Sequence, residues 1–332
     1  MSLEKRMQAV WLGERTHVPV TAAKYVLAIV AGAVTAVVLF CATYGSLYVT
    51  GNLPPPPLSN SLCVDEKLAF LRDTRPADPN FLVLGSSVAW RNIDSEVIAR
   101  GVPGARPLNS GFCGMQMHQS AFIADWMIAR WPNIRQVLLV VSPLDYKSCK
   151  GSGQVFDPVD TRKFVFERTT IWIFYLRYFD PVSLNRNIWR QMKVREGARI
   201  LKVDGRITKY GDGPHDTQEN RGLQYGVMPF ADPVCLGALR TVATKLAEQG
   251  RSLMVVETPI HPDWKAKYDR DGKYRTRFWQ DVRAALEGTG ARVWNADEAE
   301  VLNSSAFIDA VHIRWSAATT FTREIVLRLP PS

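Results

Sequence analysis

Charge of either sign is missing from Tyr25 to Tyr48, and most of those positions are apolar. A core helix of that length would carry a polar face, and this stretch has none. About 24 residues at ~1.5 Å rise cover roughly 36 Å, enough to cross a bilayer with some tilt. No A-x-A cleavage signal closes the stretch: Ala42-Thr43-Tyr44 stands there instead, and Cys41 after Phe40 fits lipid attachment poorly. The apolar core is also long for a cleaved signal peptide, the alternative reading, so we read an uncleaved anchor. No C-x-x-C pair occurs, so zinc is not suggested, and no metal site is expected. Internal repeats are absent, and the only low-complexity tract is the proline run at 54–57.

What is present is a chain of 332 residues, enough for one large core or two modest ones. Its net charge of +9 suits an anionic partner. Lys5, Arg6, Arg15 and Lys24 precede the apolar stretch, against Glu4 and Glu14. By the positive-inside rule the N-terminus is cytoplasmic and everything after Tyr48 is outside. That topology argues against nucleic acid as the partner. Four cysteines, Cys63, Cys113, Cys149 and Cys235, then face an oxidising compartment where pairing is possible. We expect Cys113 to pair with Cys149, because both sit in loops after apolar strands at one sheet edge.

The organisation follows in order. Residues 1–24 are a basic tail and 25–48 the anchor. Residues 49–78 hold a proline-rich linker, read as a stiff spacer, and a short lead-in helix. Residues 79–329 form the ectodomain, with an aromatic and basic insertion at 150–230. Asn80–Leu84, Ala105–Asn109, Gln136–Val141, Leu253–Val256 and Ala291–Trp294 read as strands. Met117–Arg130, Val234–Gln249, Tyr274–Leu286 and Ser316–Leu329 read as helices between or after them. Alternation of this kind predicts a parallel sheet in an α/β fold. The insertion, with Trp172, Tyr175, Arg177, Trp189 and Arg190, is expected over the carboxyl edge of the sheet. It suits a sugar, an anionic polymer, a membrane headgroup layer, or a plain structural cap.

Two loops carry the chemistry. The first strand runs into Gly85-Ser86-Ser87 and then a helix-like segment, which puts Ser87 at a strand end where such sheets bind ligands. The last loop holds Asp309-Ala310-Val311-His312, in which the carboxylate can hold the imidazole. A serine nucleophile needs such a base and such an orienting group. Of the other histidines, His17 is cytoplasmic by topology, His118 opens a helix, His215 lies in the insertion and His261 follows a strand end. His261 and Asp145 sit on the active edge and either bind substrate or order their turns. Trp90 and Arg91 directly follow the nucleophile and either line its pocket or pack as core.

On these residues the chain resembles the SGNH (GDSL-like) hydrolase superfamily over about residues 80–146 and 250–327. The resemblance implies the three-layer, flavodoxin-like form of the α/β fold. Gly85-Ser86-Ser87 looks like the first block, with Ser87 as nucleophile. Asn109 to Gly114 looks like the second, whose last glycine would join the Ser87 N–H as an oxyanion donor. Asp309 to His312 looks like the fifth, supplying orienter and base. The third block departs: Ser142-Pro143-Leu144-Asp145 has Leu144 where the family has an asparagine donor, a group worth about 3 kcal/mol. Gly-Ser-Ser after a single anchor also resembles a subset that acts beside a multispanning membrane-bound O-acyltransferase. The resemblance therefore implies a Ser-His-Asp enzyme needing no cofactor, which moves an acyl group, most simply acetyl, onto an extracytoplasmic polysaccharide. A carbohydrate esterase or deacetylase and a non-catalytic glycan-binding scaffold are the rival readings.

Overall fold

A computed structural model describes residues 21–59, 61–201, 207–215 and 218–330. Lys5, Arg6, Arg15 and His17 lie outside the described residues. The chain divides into two units, Met1–Leu53 and Pro54–Ser332. In the first, an 18-residue window of helix α1 (Ala22–Val49) has a mean hydropathy of 2.5, and the helix has no buried residue. It is long and apolar enough to cross a membrane.

The second unit is built on a parallel five-stranded sheet: β1 (Phe81–Gly85), β2 (Pro107–Asn109), β3 (Gln136–Val141), β4 (Ser252–Glu257) and β5 (Arg292–Asn295). Their spatial order is β2-β1-β3-β4-β5, the flavodoxin-like order. Strands buried on both faces need apolar residues at consecutive positions, and β1 and β3 have them. Leu82, Leu84, Leu139 and Val255 point to one core, and Val83, Leu138, Val140 and Val256 to the other.

Helices cover both faces. The first core takes α2 (Leu62–Thr74), α5 (Met117–Arg130), α9 (Pro233–Glu248) and α11 (Lys273–Leu286). The second takes α3 (Ser87–Asn92), α4 (Ser95–Gly101), α10 (Pro262–Tyr268) and α12 (Trp315–Val326). The insertion holds three helices in its first part, α6 (Pro158–Val165), α7 (Ile171–Arg177) and α8 (Pro181–Leu201), and no helix among the described residues from 207 to 230. Several of these helices begin with proline at the first position after an aspartate cap, as at Asp157-Pro158 and Asp232-Pro233.

Two expectations are corrected. The disulfides are Cys63–Cys113 and Cys149–Cys235, with Cα separations of 6.2 and 5.1 Å, so Cys113 does not pair with Cys149. The reason is strand order. Their loops leave β2 and β3, which β1 separates. Two strand spacings are roughly 9.6 Å, beyond the ~6.8 Å a disulfide spans. The proline run, expected as a stiff spacer, is instead packed into the second unit. Pro54, Pro56 and Leu58 are buried within the second unit, and Pro54 accepts a hydrogen bond from the Tyr175 hydroxyl.

Candidate active site

The site assembles where strand order reverses, between β1 and β3, at their carboxyl ends. Gly85 ends β1 with φ +138°, a region side chains avoid. A Cβ there would stand 2.3 Å from the carbonyl oxygen of Val140 and 2.9 Å from Cβ of Ala89. Glycine therefore permits both the sharp turn and the close packing of α3 on the sheet. Ser87 is the first residue of α3 and stays partly open to solvent.

The last loop comes to meet it. Asp309 folds Asp309-Ala310-Val311-His312 into a turn, its Oδ1 accepting from the N–H groups of Val311 and His312 at 3.0 and 2.9 Å. Nδ1 of His312 donates to the same carboxylate, 3.0 Å from Oδ1 and 2.9 Å from Oδ2. That leaves Nε2 as an acceptor, and the Ser87 hydroxyl lies 2.9 Å from it. Burial opposes the charge on Asp309. The hydrogen bond and charge of His312, with the two backbone donors, outweigh it and hold the carboxyl below its ordinary pKa.

Asn92, which the sequence reading passed over, ties the two halves. It is fully buried at the end of α3. Its Nδ2 donates to Val311 O and Thr258 Oγ1, both at 2.9 Å, and its Oδ1 accepts from the Ile313 N–H at 3.1 Å. The helix that carries Ser87 is thus fastened to the loop that carries His312.

The remaining predicted residues fall in different places. Gly114 is exposed with φ +67°, beside the disulfide-bonded Cys113. Asp145 is buried and takes the Ser142 N–H at 2.8 Å and a hydrogen bond from Ser86. Burial pushes its pKa up to about 7. Its oxygens brace the turns after β1 and β3. His261 caps α10, its Nδ1 accepting from the Asp263 N–H at 3.0 Å, with its ring packed on Phe307. Leu144 packs against the second core.

Trp90 and Arg91 line a cavity of about 1200 Å³, and the Arg91 guanidinium lies 3.7 Å above the Trp90 ring. His118 is not in this cavity; its Nε2 lies 3.1 Å from Lys150 O.

The insertion supplies what spacing alone could not reveal. Asp212 accepts from Ser95 N–H and Oγ, Asn109 Nδ2 and Thr208 Oγ1 at 2.6 to 3.1 Å. It pins residues 208–213 onto the end of β2 and the start of α4. Buried Lys67 donates to the Gly211 carbonyl beside it, and burial lowers the lysine pKa. His215 follows, lining the cavity with its ring centroid 5.6 Å from that of His312. Burial, then Arg91 and the His312 charge, push the His215 pKa down to about 2. Glu219 stands 3.4 Å from its Nδ1, but the imidazole is neutral, so the contact is no ion pair. Tyr225 flanks His312 from the same segment at 6.3 Å. A generic "histidine in an insertion" was the only signal the sequence held for His215.

Chemically, the arrangement can deprotonate one hydroxyl and stabilise the resulting imidazolium, beside a large cavity with polar and cationic walls. Among the described residues, no group of three or more histidine, cysteine, aspartate or glutamate side chains could hold a metal ion.

No protein-family model matches the chain, and no curated protein matches it. Similar solved structures include one described as an arylesterase from Agrobacterium tumefaciens, at 14% identity and TM-score 0.37, covering 75% of this chain and 96% of that one. The inhibitor-bound aryl esterase of M. smegmatis is similar at 10% identity and TM-score 0.34, with coverage of 75% and 96%. A carbohydrate acetylesterase family member from Sinorhizobium meliloti is similar at 10% identity and TM-score 0.34, with coverage of 75% and 99%.

Proposed function

We propose that the protein is an SGNH-type serine O-acyltransferase, anchored by α1 in the cytoplasmic membrane with its second unit outside. It acylates a cell-surface or exported polysaccharide. One observation carries the reading: the unbroken chain from Asp309 through His312 to Ser87, each link about 3 Å long. In the proposed cycle the Ser87 Oγ attacks the donor acyl carbonyl while its proton passes to Nε2 of His312. The N–H groups of Ser87 and Gly114 face the oxyanion. The donor C–O bond breaks, and His312 returns the proton to the leaving oxygen. A sugar hydroxyl then gives its proton to His312 and attacks the acyl-serine. Ser87 leaves as the new ester forms and takes the proton back.

Leu144 stands where the resembled family has an oxyanion donor, a loss that slows attack by water and by a sugar hydroxyl alike. Support for a glycan acyltransferase comes from two other features. The cavity beside His215 is large enough for a glycan segment. The apolar α1 would hold the site near a multispanning O-acyltransferase that passes acyl groups across the bilayer.

Incubation with nitrophenyl acetate, followed by mass spectrometry, should find the acetyl group on the peptide containing Ser87. Ser87→Ala should abolish it, and His312→Ala should slow it on the order of 10⁴-fold or more. A glycan acceptor should accelerate acyl loss from the wild type. If only water does so, the protein is an esterase; if Ser87→Ala acylates glycan in cells as well as wild type, the triad has no catalytic role. A periplasmic alkaline phosphatase fusion at the C-terminus should be active if the orientation is right.

A further inference from the structure

Helix α7 has the sequence Ile171-Trp172-Ile173-Phe174-Tyr175-Leu176-Arg177, apolar all round until its last residue. Such a helix ordinarily lies wholly inside a protein. Here only one side does. Phe174 and Tyr175 are buried, whereas Ile173 is 51% and Leu176 75% exposed. Helix α8 continues the pattern. Leu184 and Ile188 are buried on its inner side, and Val182 and Trp189 are 75% and 67% exposed on its outer side. Val182 and Trp189 are seven residues apart, two helical turns, so they share a face. Arg186 and Lys193, both exposed, border this stripe and also line the cavity. Exposed apolar side chains gathered on two consecutive helices are the kind of surface that serves for binding.

The chain itself limits what can cover it. The Tyr175 hydroxyl is bonded to the carbonyl of Pro54. Pro54 is only five residues beyond Val49, the end of α1. Five residues span at most about 18 Å however they are arranged. Connectivity alone therefore keeps the Tyr175 hydroxyl within about 18 Å of chain from the end of α1. Apolar and aromatic side chains interspersed with arginine and lysine suit the surface layer of a bilayer: the rings and aliphatic groups sit among the upper acyl chains while the cations reach anionic headgroups.

We propose that the outer faces of α7 and the first half of α8 form a membrane-contact surface that lays the second unit on the anionic lipid surface. Because α8 also lines the cavity, through Arg186, Asn187 and Arg190, the cavity would then open beside the headgroups. This rests on the reading of α1 as a membrane anchor.

The test uses the full chain reconstituted in 3:1 phosphatidylethanolamine–phosphatidylglycerol vesicles whose lipids carry bromine just below the headgroup. Wild type and Trp189→Phe are compared for bromine quenching of tryptophan emission; α1 contains no tryptophan. The quenched share of the emission should shrink in Trp189→Phe. It should also shrink when Leu176→Glu lifts the face off the lipid. Protein that fails to float with the vesicles would sink the anchor reading. Protein that floats, yet shows the same quenched share in both forms, overturns the contact surface alone. Shielding of Trp189 in native membranes but not in protein-free vesicles would give the face to a protein partner, and equally overturns the lipid proposal.

Discussion

Nδ2 of Asn92 lies 2.9 Å from the carbonyl oxygen of Val311, joining the helix that carries Ser87 to the turn that carries His312. Asn92→Leu would fill similar space but leave the Val311 carbonyl and the Ile313 N–H buried without partners. Two such orphaned groups cost about 2–6 kcal/mol together. We expect that loss in urea unfolding. We also expect a fall in kcat on an activated ester with KM little changed, because the nucleophile–base distance is no longer held.

His215 stands edge-on to His312, with ring planes at 76°. Its neutrality matters, since His312 becomes an imidazolium in the proposed reaction. A cation 5.6 Å from another costs about 3 kcal/mol at an effective dielectric of 20. His215→Lys should therefore lower kcat by roughly 10²-fold. His215→Phe keeps the bulk without the charge and should lose far less on a small ester. Parallel kinetics on the two variants check this; equal losses would show that size alone governs the position.

Asp145 links stability to pH. Its carboxyl titrates near 3.9 in an unfolded chain and at about 7 when folded, because burial disfavours the charge. A pKa raised by folding contributes stability that is complete below the unfolded value and is lost as pH rises through the folded one. Between about pH 4 and about pH 7 this one group should lower unfolding free energy by about 1.4 kcal/mol per pH unit. Asp145→Asn mimics the protonated form, accepting from Ser142 and donating to Ser86. It should remove that slope from a series of urea titrations and be the more stable protein above pH 7.

The disulfides close long loops, spanning 50 and 86 residues. Loop-closure entropy makes each worth roughly 4 kcal/mol against the reduced unfolded chain. Cys63→Ser with Cys113→Ser should lose about 2–4 kcal/mol of stability. It should also loosen the loop that bears Gly114, reducing esterolysis more than the Cys149→Ser, Cys235→Ser pair does. Non-reduced peptide maps should show the 63–113 and 149–235 links and no 113–149 link.

Local signals in the sequence located most of the sheet and one side of the site. Met117–Arg130 and Gln136–Val141 are read with the same limits that the structure gives, because helical periodicity and an unbroken apolar run leave no alternative. Asp309 and His312 are close in sequence, so a turn suffices to join them. Ser87 could be paired with them only through the parallel topology. What failed to show was everything set by long-range packing. Cys113 finds its partner according to which strand lies between two others. Asn92 looks like an ordinary helix-end asparagine until residues 258, 311 and 313 arrive. His215 and Asp212 reach the site through a segment whose path no periodicity describes. Helix α10 was passed over because His261-Pro262 reads equally well as a turn.

Ser87 and His312 are 225 positions apart, and that distance is also an interval of time. A ribosome adding about 5–20 residues per second needs about 10–45 seconds to travel it. Throughout that period a nascent chain carries Ser87 without His312. On the proposed mechanism the serine is silent by default, and reactivity begins only once His312 has been made. A product of synthesis interrupted before His312 would accordingly be inert toward every ester it meets.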